Sequence, residues 1–380
     1  MNKVAVITAY NPRNAGMYSV DLAAIQTLEP LGIKPSLYRI HVNRRKLPYY
    51  VADTRLRYLR WAKWLGRFDT VAYWGDFVTS PLYAVDTYRR YEAYAGRSRD
   101  PARALESWKA FCLLKGIRHK DMRVLSISQN MQSAVSTLKT LSAAQQTEIS
   151  QLYRENFDAI WPRDPVSTKE AKELLIGTSG SSPQPEVTCG VDAAFLVTDH
   201  LLGRLDSSLE PGKYFAYFFH RSAFKGLEGM LASVASATGL TPVPLSKWLN
   251  LDMRNGKRDY SEMTTLIENS AFVLSDTYHC CINAMTIRKP VIGLGRDATS
   301  QITTISDFKK KVLFEMFGLA ERSYVSVPAD SQALPQDSVD AIVHAARYHA
   351  TGDLPIDHYA LVEQKTEAHR SRIMAELKSR

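Results

Sequence analysis

Short apolar runs alternate along this chain with stretches of helical periodicity. Val4-Ala5-Val6-Ile7-Thr8 is continuous and apolar, the pattern of a parallel strand covered on both faces. After Asn11-Pro12-Arg13-Asn14-Ala15-Gly16, the residues Val20, Ala23, Ala24, Thr27, Leu28 and Leu31 recur at helical spacing, and Gly32 follows as a C-terminal cap. Residues 34–40 return as a strand, which completes a βαβ unit of fixed hand. Further strands are predicted over 70–74, 124–128, 158–161 and 187–189, with helices over 138–157 and 168–175. The Gly, Ser and Pro of 177–185 read as an exposed loop, and 206–212 as a domain boundary. A second cycle follows, with strands over 214–219, 241–245, 272–274 and 291–294 and helices over 226–238, 261–269, 280–287 and 307–317.

This alternation predicts an α/β protein with two Rossmann-like domains facing a cleft, residues 1–205 and 206–380, the latter including the terminal helices. A length of 380 residues exceeds what one core usually supports. The pair resembles a GT-B arrangement, in which ligands bind outside the carboxyl ends of the strands. Residues just after strands therefore carry the search for chemistry.

Composition narrows the partners. At 45% hydrophobic and 23% charged the chain is of ordinary globular type. With 48 Lys and Arg against 39 Asp and Glu, a net charge of +9 favours anionic partners: phosphorylated metabolites, acidic glycans, lipid headgroups or nucleic acid. Four cysteines include no CxxC pair, which fits a reduced, cytoplasmic chain and no metal site. The N-terminus runs into a strand without the features of a signal peptide, and no apolar stretch reaches the length of a membrane span, so membrane contact is expected only at the periphery. No GxxxxGK[ST], HExxH or GxSxG occurs, which removes support from P-loop, zinc-protease and serine-hydrolase chemistry.

Three strand ends stand out. Residues 272–285 pass from an apolar strand into a helix, with Ser275 or Asp276 suited to cap it. The backbone amides of that turn, at Ser275, Asp276 and Thr277, form a ready site for phosphate or carboxylate, and His279 in the first turn is placed to move protons; the bland alternative is that Asp276 is only a cap and His279 a satisfied structural residue. Arg163 leaves another strand ahead of a helix that Ser167 could cap, and its guanidinium suits an anion; the bland alternative is a surface pair with Asp164. Asp76 follows Tyr73-Trp74-Gly75 as a candidate base, or as plain turn chemistry. Between Arg44 and Arg67, basic residues interleave with Leu56, Leu59, Trp61, Trp64 and Leu65, an amphipathic pattern that fits docking on anionic headgroups or on a lipid-linked glycan diphosphate, as interfacial helices dock, or else an ordinary solvated helix face. No nucleic-acid motif accompanies it.

Taken in order, these pieces resemble the polysaccharide pyruvyl transferase family. Residues 7–16 and the helix to Leu31 are similar to its opening strand, Asn/Gly loop and helix. Trp74-Gly75-Asp76-Phe77 resembles its Gly-Gly-Asp turn, Arg163-Asp164-Pro165-Val166-Ser167 its Arg-(Asp/Glu)-x-x-Ser segment, and Val191-Asp192-Ala193 its Asp-Pro-(Ala/Thr) strand end. Residues 269–279 are similar to its signature strand ending in His, although Thr277 stands where many members carry Arg. The likeness closes with residues 287–292 and 307–322.

The resemblance implies transfer of a pyruvyl group from phosphoenolpyruvate to two hydroxyls of a glycan or lipid-linked oligosaccharide, forming a cyclic ketal without a cofactor. It implies His279 as acid/base, Asp76 as activator of the acceptor, and around the donor Arg163 from the first domain with Ser275, Asp276, Thr277 and Arg296 from the second. Asn11, Asn14 and Trp74 are then expected on the acceptor side, in the first domain. For the ligand missing at Thr277, Arg296, Arg288, His220 or Arg221 could substitute. A GT-B glycosyltransferase using a nucleotide sugar and a noncatalytic glycan-binding protein stay open as alternatives.

Overall fold

The computed structural model describes residues 3–9, 11, 13–34, 36–40, 49–176, 184–200, 209–222, 224–297, 305–329, 331–351 and 359–378. They divide into two compact units, one of Met1–Pro12, Val20–Thr198 and Thr366–Arg380, the other of Arg13–Ser19 and Asp199–Lys365.

The first unit is built on β1 (Val4–Thr8), β2 (Ser36–Arg39), β5 (Arg57–Tyr58), β6 (Thr70–Trp74), β7 (Arg123–Ile127), β8 (Ala159–Trp161) and β9 (Glu186–Val187), with a small hairpin of β3 (Tyr50–Val51) and β4 (Thr54–Arg55) between β2 and β5. The sheet runs β5-β2-β1-β6-β7-β8-β9 and every pairing is parallel. β1, the strand read from an unbroken apolar run, is buried at all five positions, as a strand covered by helices on both faces must be. The second unit contains β10 (Tyr214–Phe218), β11 (Thr241–Pro244), β12 (Val273–Ser275), β13 (Val291–Arg296) and β14 (Tyr324–Val327), ordered β11-β10-β12-β13-β14 and again wholly parallel. Its core gathers Phe215, Phe272, Ile292, Leu294, Val325 and Ile342, with the rings of Phe215 and Phe272 stacked at 5.2 Å. Gly293 and Gly295 are packing residues: a Cβ on either would stand 2.4 Å from Phe314 or 2.2 Å from Tyr324. The two Rossmann-like domains read from the alternation are present.

Strand order locates the place where ligands bind such sheets. In the first the chain reverses between β1 and β6, in the second between β10 and β12. The helices that follow neighbouring strands go to opposite faces there, which opens a crevice outside the carboxyl ends.

Several expectations change. The 205/206 boundary falls in 201–208, and 177–183 of the expected loop likewise lie outside the described residues. The C-terminal helix Ala360–Lys378 does not remain wholly with the second domain, because residues from 366 onward belong to the first unit. There Ile373 and Leu377 are buried, and Arg123 pairs with Glu376 at 2.5 Å. Residues 13–19 count with the second unit, where Ala15 N donates to Trp248 O (2.8 Å) and Leu251 N to Arg13 O (3.0 Å). Residues 44–48 of the basic segment lie outside the described residues, and the rest of it forms no amphipathic α-helix. Its described part is the hairpin, β5 and a 3-10 turn, Ala62–Arg67, because Arg55-Leu56-Arg57 alternates with period two, leucine inward and arginines outward.

Candidate active site

In the second unit the reversal point is held together by strand-end side chains. Ser275, the last residue of β12, donates its Oγ to Phe218 O on β10 (2.7 Å) and accepts Thr277 N (3.0 Å). Asp276 is buried, and its carboxylate reaches across to the loop after β10. Oδ1 accepts His220 N (2.9 Å), and Oδ2 accepts Arg221 N (2.8 Å) and Ser222 N (2.7 Å). Asp276 therefore caps the neighbouring loop rather than its own helix, Tyr278–Thr286, whose N-cap is Thr277 without a side-chain cap bond. The Thr277 hydroxyl donates to Asp276 Oδ1 (3.0 Å). Three backbone amides can hold a carboxylate as strongly as a cation would, so Asp276 is architecture and its charge is already matched.

The same loop is fixed from its other side. Lys310, fully buried, donates to Asp276 O (2.6 Å) and pairs with Asp307 (2.7 Å), which accepts the Ser222 hydroxyl (3.2 Å). Arg296 donates to Ser222 O (2.9 Å), Ala329 O (3.2 Å) and Ser331 O, and its guanidinium lies 4.8 Å from the Phe224 ring centroid. Its fork is spent on carbonyls, so the structure gives Arg296 a loop-holding role in place of the expected donor contact. Arg288 pairs with Glu363 at 2.6 Å. Of the four substitutes for the missing arginine, His220 and Arg221 remain at the reversal point with exposed side chains, and Arg221 makes no ion pair among the described residues.

His279 is buried in the first turn of its helix, edge-on to Tyr278 at 5.3 Å. It sits where Gly16 leaves room: a Cβ at Gly16 would lie 2.3 Å from His279 Cβ and 2.9 Å from Nδ1. Asn14, expected to face an acceptor, accepts Gly16 N (2.9 Å) and thereby starts the helix Ala15–Leu28. Asn283 donates to His279 O (2.7 Å) and Ser19 Oγ (3.1 Å) and accepts the Tyr260 hydroxyl (2.8 Å). His200 Nδ1 meets that hydroxyl at 2.8 Å, and because Tyr260 gives its one proton to Asn283, the imidazole is the donor. Burial brings the His200 pKa down to about 3, so the ring stays neutral. No sequence signal announced this chain of hydrogen bonds, which locks residues 14–19 against the helix that bears His279.

In the first unit β1 and β6 flank the reversal. Gly75 and Asp76 both take left-handed conformations after β6, with φ of 62° and 57°. Glycine is required at 75, since a Cβ there would stand 2.5 Å from Val20 Cγ1. Asp76 is half-buried, and its carbonyl accepts Asn130 N (2.5 Å). Asn11, after β1, is exposed. Trp74 is fully buried and donates its indole N–H to Val20 O (2.9 Å), which makes it a core residue rather than a platform for a sugar.

Arg163 is also buried, between Asp164 (3.4 Å) and Asp192 (3.2 Å). Asp164 caps the helix Pro165–Leu174 by accepting Ser167 N (2.6 Å), the role expected of Ser167, and Asp192 accepts Ala194 N (3.0 Å). Arg163 thus ties two caps together at the ends of β8 and β9. The pair with Asp164 foreseen on the surface is real but lies inside. In the same unit His369, wedged over Gly190, contacts Ser128 Oγ at 3.0 Å, and burial holds its pKa at about 3.

All four cysteines are free, and burial pushes the Cys281 thiol up to about 12, away from nucleophilic use. Among the described residues no group of three or more His, Cys, Asp or Glu is placed to hold a metal ion, and no helix is long and apolar enough to cross a membrane.

The model of the family described as polysaccharide pyruvyl transferase matches residues 105–298, just over half of the chain. The chain belongs to that family. The matched stretch includes Arg163, Ser275 to His279 and Arg296, while Asn11, Asn14, Trp74 and Asp76 precede it. Membership makes the protein a transferase of polysaccharide biosynthesis by class. No curated protein matches the chain. Solved structures similar to it include UDP-GlcNAc 2-epimerase from Methanocaldococcus jannaschii, with 11% identity, 90% of this chain and 91% of that one covered and a TM-score of 0.48. S. aureus MnaA in a co-structure with UDP gives 13%, 100%, 96% and 0.45, and E. coli heptosyltransferase WaaC with ADP gives 10%, 92%, 99% and 0.40. Likeness at this level assigns no chemistry to the chain.

Proposed function

We propose that this protein transfers a pyruvyl group from phosphoenolpyruvate to two hydroxyls of a glycan sugar, free or lipid-linked, as a cyclic ketal in the biosynthesis of cell-surface polysaccharide. The reaction is placed in the cytoplasm, with peripheral contact to an anionic membrane. The observation that carries the reading is the convergence of the family match with the reversal point between β10 and β12, where His279, the start of its helix and the cationic loop at His220 and Arg221 occur together.

The chemistry sets the requirements. A proton delivered to the methylene carbon of the donor converts the enol carbon into an oxocarbenium-like centre. One sugar hydroxyl attacks that carbon and loses its proton; the carbon–oxygen bond to phosphate then breaks, and the second hydroxyl closes the ring and loses its own. One hydroxyl proton balances the new methyl group and the other leaves on phosphate. His279 is the proton donor in this reading, and Asp76 the base for an acceptor hydroxyl. Arg221 and His220, with the positive end of the helix at Tyr278, hold the donor's carboxylate and phosphate. Arg163 and Arg296, expected in that role, are already paired inside the protein.

Phosphate release from phosphoenolpyruvate with a diol-bearing glycan acceptor tests the assignment. His279→Ala should lower turnover by roughly 10²–10⁴-fold, the usual worth of a positioned acid/base. Unchanged turnover would remove His279 from the mechanism. Phosphoenolpyruvate should also raise the melting temperature, since a ligand of the native state stabilises it by about 2.7 kcal/mol at a hundred times its Kd. Stabilisation by a nucleotide sugar alone would reject pyruvyl transfer.

A further inference from the structure

Residues 50–67 form a surface that no part of this chemistry uses. Among the described residues seven large apolar or aromatic side chains are exposed, and three of them fall here: Tyr50 at 44%, Trp61 at 49% and Trp64 at 37%. Arg55, Arg57, Arg60, Lys63 and Arg67 are exposed in the same stretch, against a single carboxylate, Asp53, and none of the five is in an ion pair among the described residues. Tyr50 and Arg55 are cross-strand neighbours in the β3–β4 hairpin. Trp61 and Trp64 are three residues apart at a 3-10 turn, a spacing that brings side chains onto one face, and the Arg60 guanidinium lies 5.1 Å from the Trp61 ring centroid. Beneath, Val51, Leu56, Leu59 and Leu65 are buried, so the outward residues stand on a packed base.

We infer that this face is a membrane-docking surface whose occupant is the headgroup region of an anionic bilayer. A soluble protein gains nothing from exposing two tryptophans, whereas an indole is most stable at the boundary between hydrocarbon and water. Unpaired arginines beside them supply attraction to anionic lipid, and their long stems can lie along the acyl boundary while the charge stays in the headgroups. A nucleic acid would be served by the cations, but no recognised nucleic-acid motif accompanies them. This inference is independent of pyruvyl transfer, since binding and turnover are measured separately.

The test is co-sedimentation of the full chain with vesicles of phosphatidylcholine carrying phosphatidylserine, against vesicles of phosphatidylcholine alone. Binding is expected to the first, weakening as salt is raised. Replacing Arg55, Arg57, Arg60 and Lys63 by Gln should reduce it at least about a hundredfold, at roughly fivefold per cation near the surface. A W61F/W64F variant should lose the quenching of tryptophan fluorescence by brominated lipid. Both variants should keep the wild-type circular dichroism and phosphate-release activity, because these side chains are exposed and none belongs to the proposed catalytic machinery. Binding that ignores salt and the four substitutions, or binding of a soluble oligonucleotide or acidic polysaccharide without binding of vesicles, would overturn the inference.

Discussion

The carboxyl ends of the two sheets present the same sequence device, a charged residue straight after a buried strand, and use it in opposite ways. In the first sheet Arg163 is consumed by the carboxylates of Asp164 and Asp192, so positive charge is turned inward. In the second, a carboxylate is turned inward, because Asp276 takes the amides of His220, Arg221 and Ser222, and the loop it organises carries His220 and Arg221 on the outside. Burial decides which strand-end charge is structure and which is available to a ligand. The comparison also separates the two aspartates: Asp276 is buried with its bonds made, Asp76 half-buried on a left-handed turn.

The sharpest way to break this comparison is to remove Arg163. Arg163→Ala strands two buried carboxylates and should cost about 3–5 kcal/mol in denaturant unfolding, the range for breaking a buried ion pair. A loss confined to donor binding, with stability intact, would instead make Arg163 a ligand. Asp276→Ala leaves three amides of the loop without their acceptor and should cost roughly 2–4 kcal/mol. It should also weaken binding of phosphoenolpyruvate, because the loop bearing Arg221 loses its frame.

Each unit carries a buried histidine held neutral, His369 in the first and His200 in the second, with pKa about 3 against an ordinary 6.5. The unfolded chain therefore binds protons between those values that the native state refuses. The stability from each is complete above 6.5 and falls as pH drops below it, by about 2 kcal/mol per histidine at about pH 5. The slope of stability against pH over that range should drop by similar amounts in H369Q and again when H200Q is added; a slope unchanged in both variants would refute the burial argument. Smallest in stability is Asp76→Asn, expected within about 0.5 kcal/mol of the wild type. Its turnover should nevertheless fall roughly a hundredfold if Asp76 acts as base.

Much of the framework was legible because its causes are local. Strand-like runs marked ten of the strands, most plainly the apolar ones, since a strand covered on both faces has to be apolar throughout. Gly75-Asp76 announced a turn, and the passage from Phe272 to His279 announced a strand meeting a helix. The partners of the site residues were not legible. Asp276 finds its donors more than fifty residues away, and Asn283 reaches back to Ser19 over 264 positions. Arg163 read as an anion clamp because its second carboxylate, Asp192, comes from a later loop. Trp74 read as a ligand platform because nothing in its neighbours tells which face of the sheet it enters.

The sequence by itself determined the two parallel sheets and the strand ends at which polar residues emerge, because hydrophobic periodicity and turn chemistry act over a few residues. Only the tertiary structure decided the strand order, and with it the crevices between β1 and β6 and between β10 and β12. It also decided which emerging charges were already neutralised, because a charge is satisfied by whatever lies within hydrogen-bonding distance, and that neighbour comes from elsewhere in the chain.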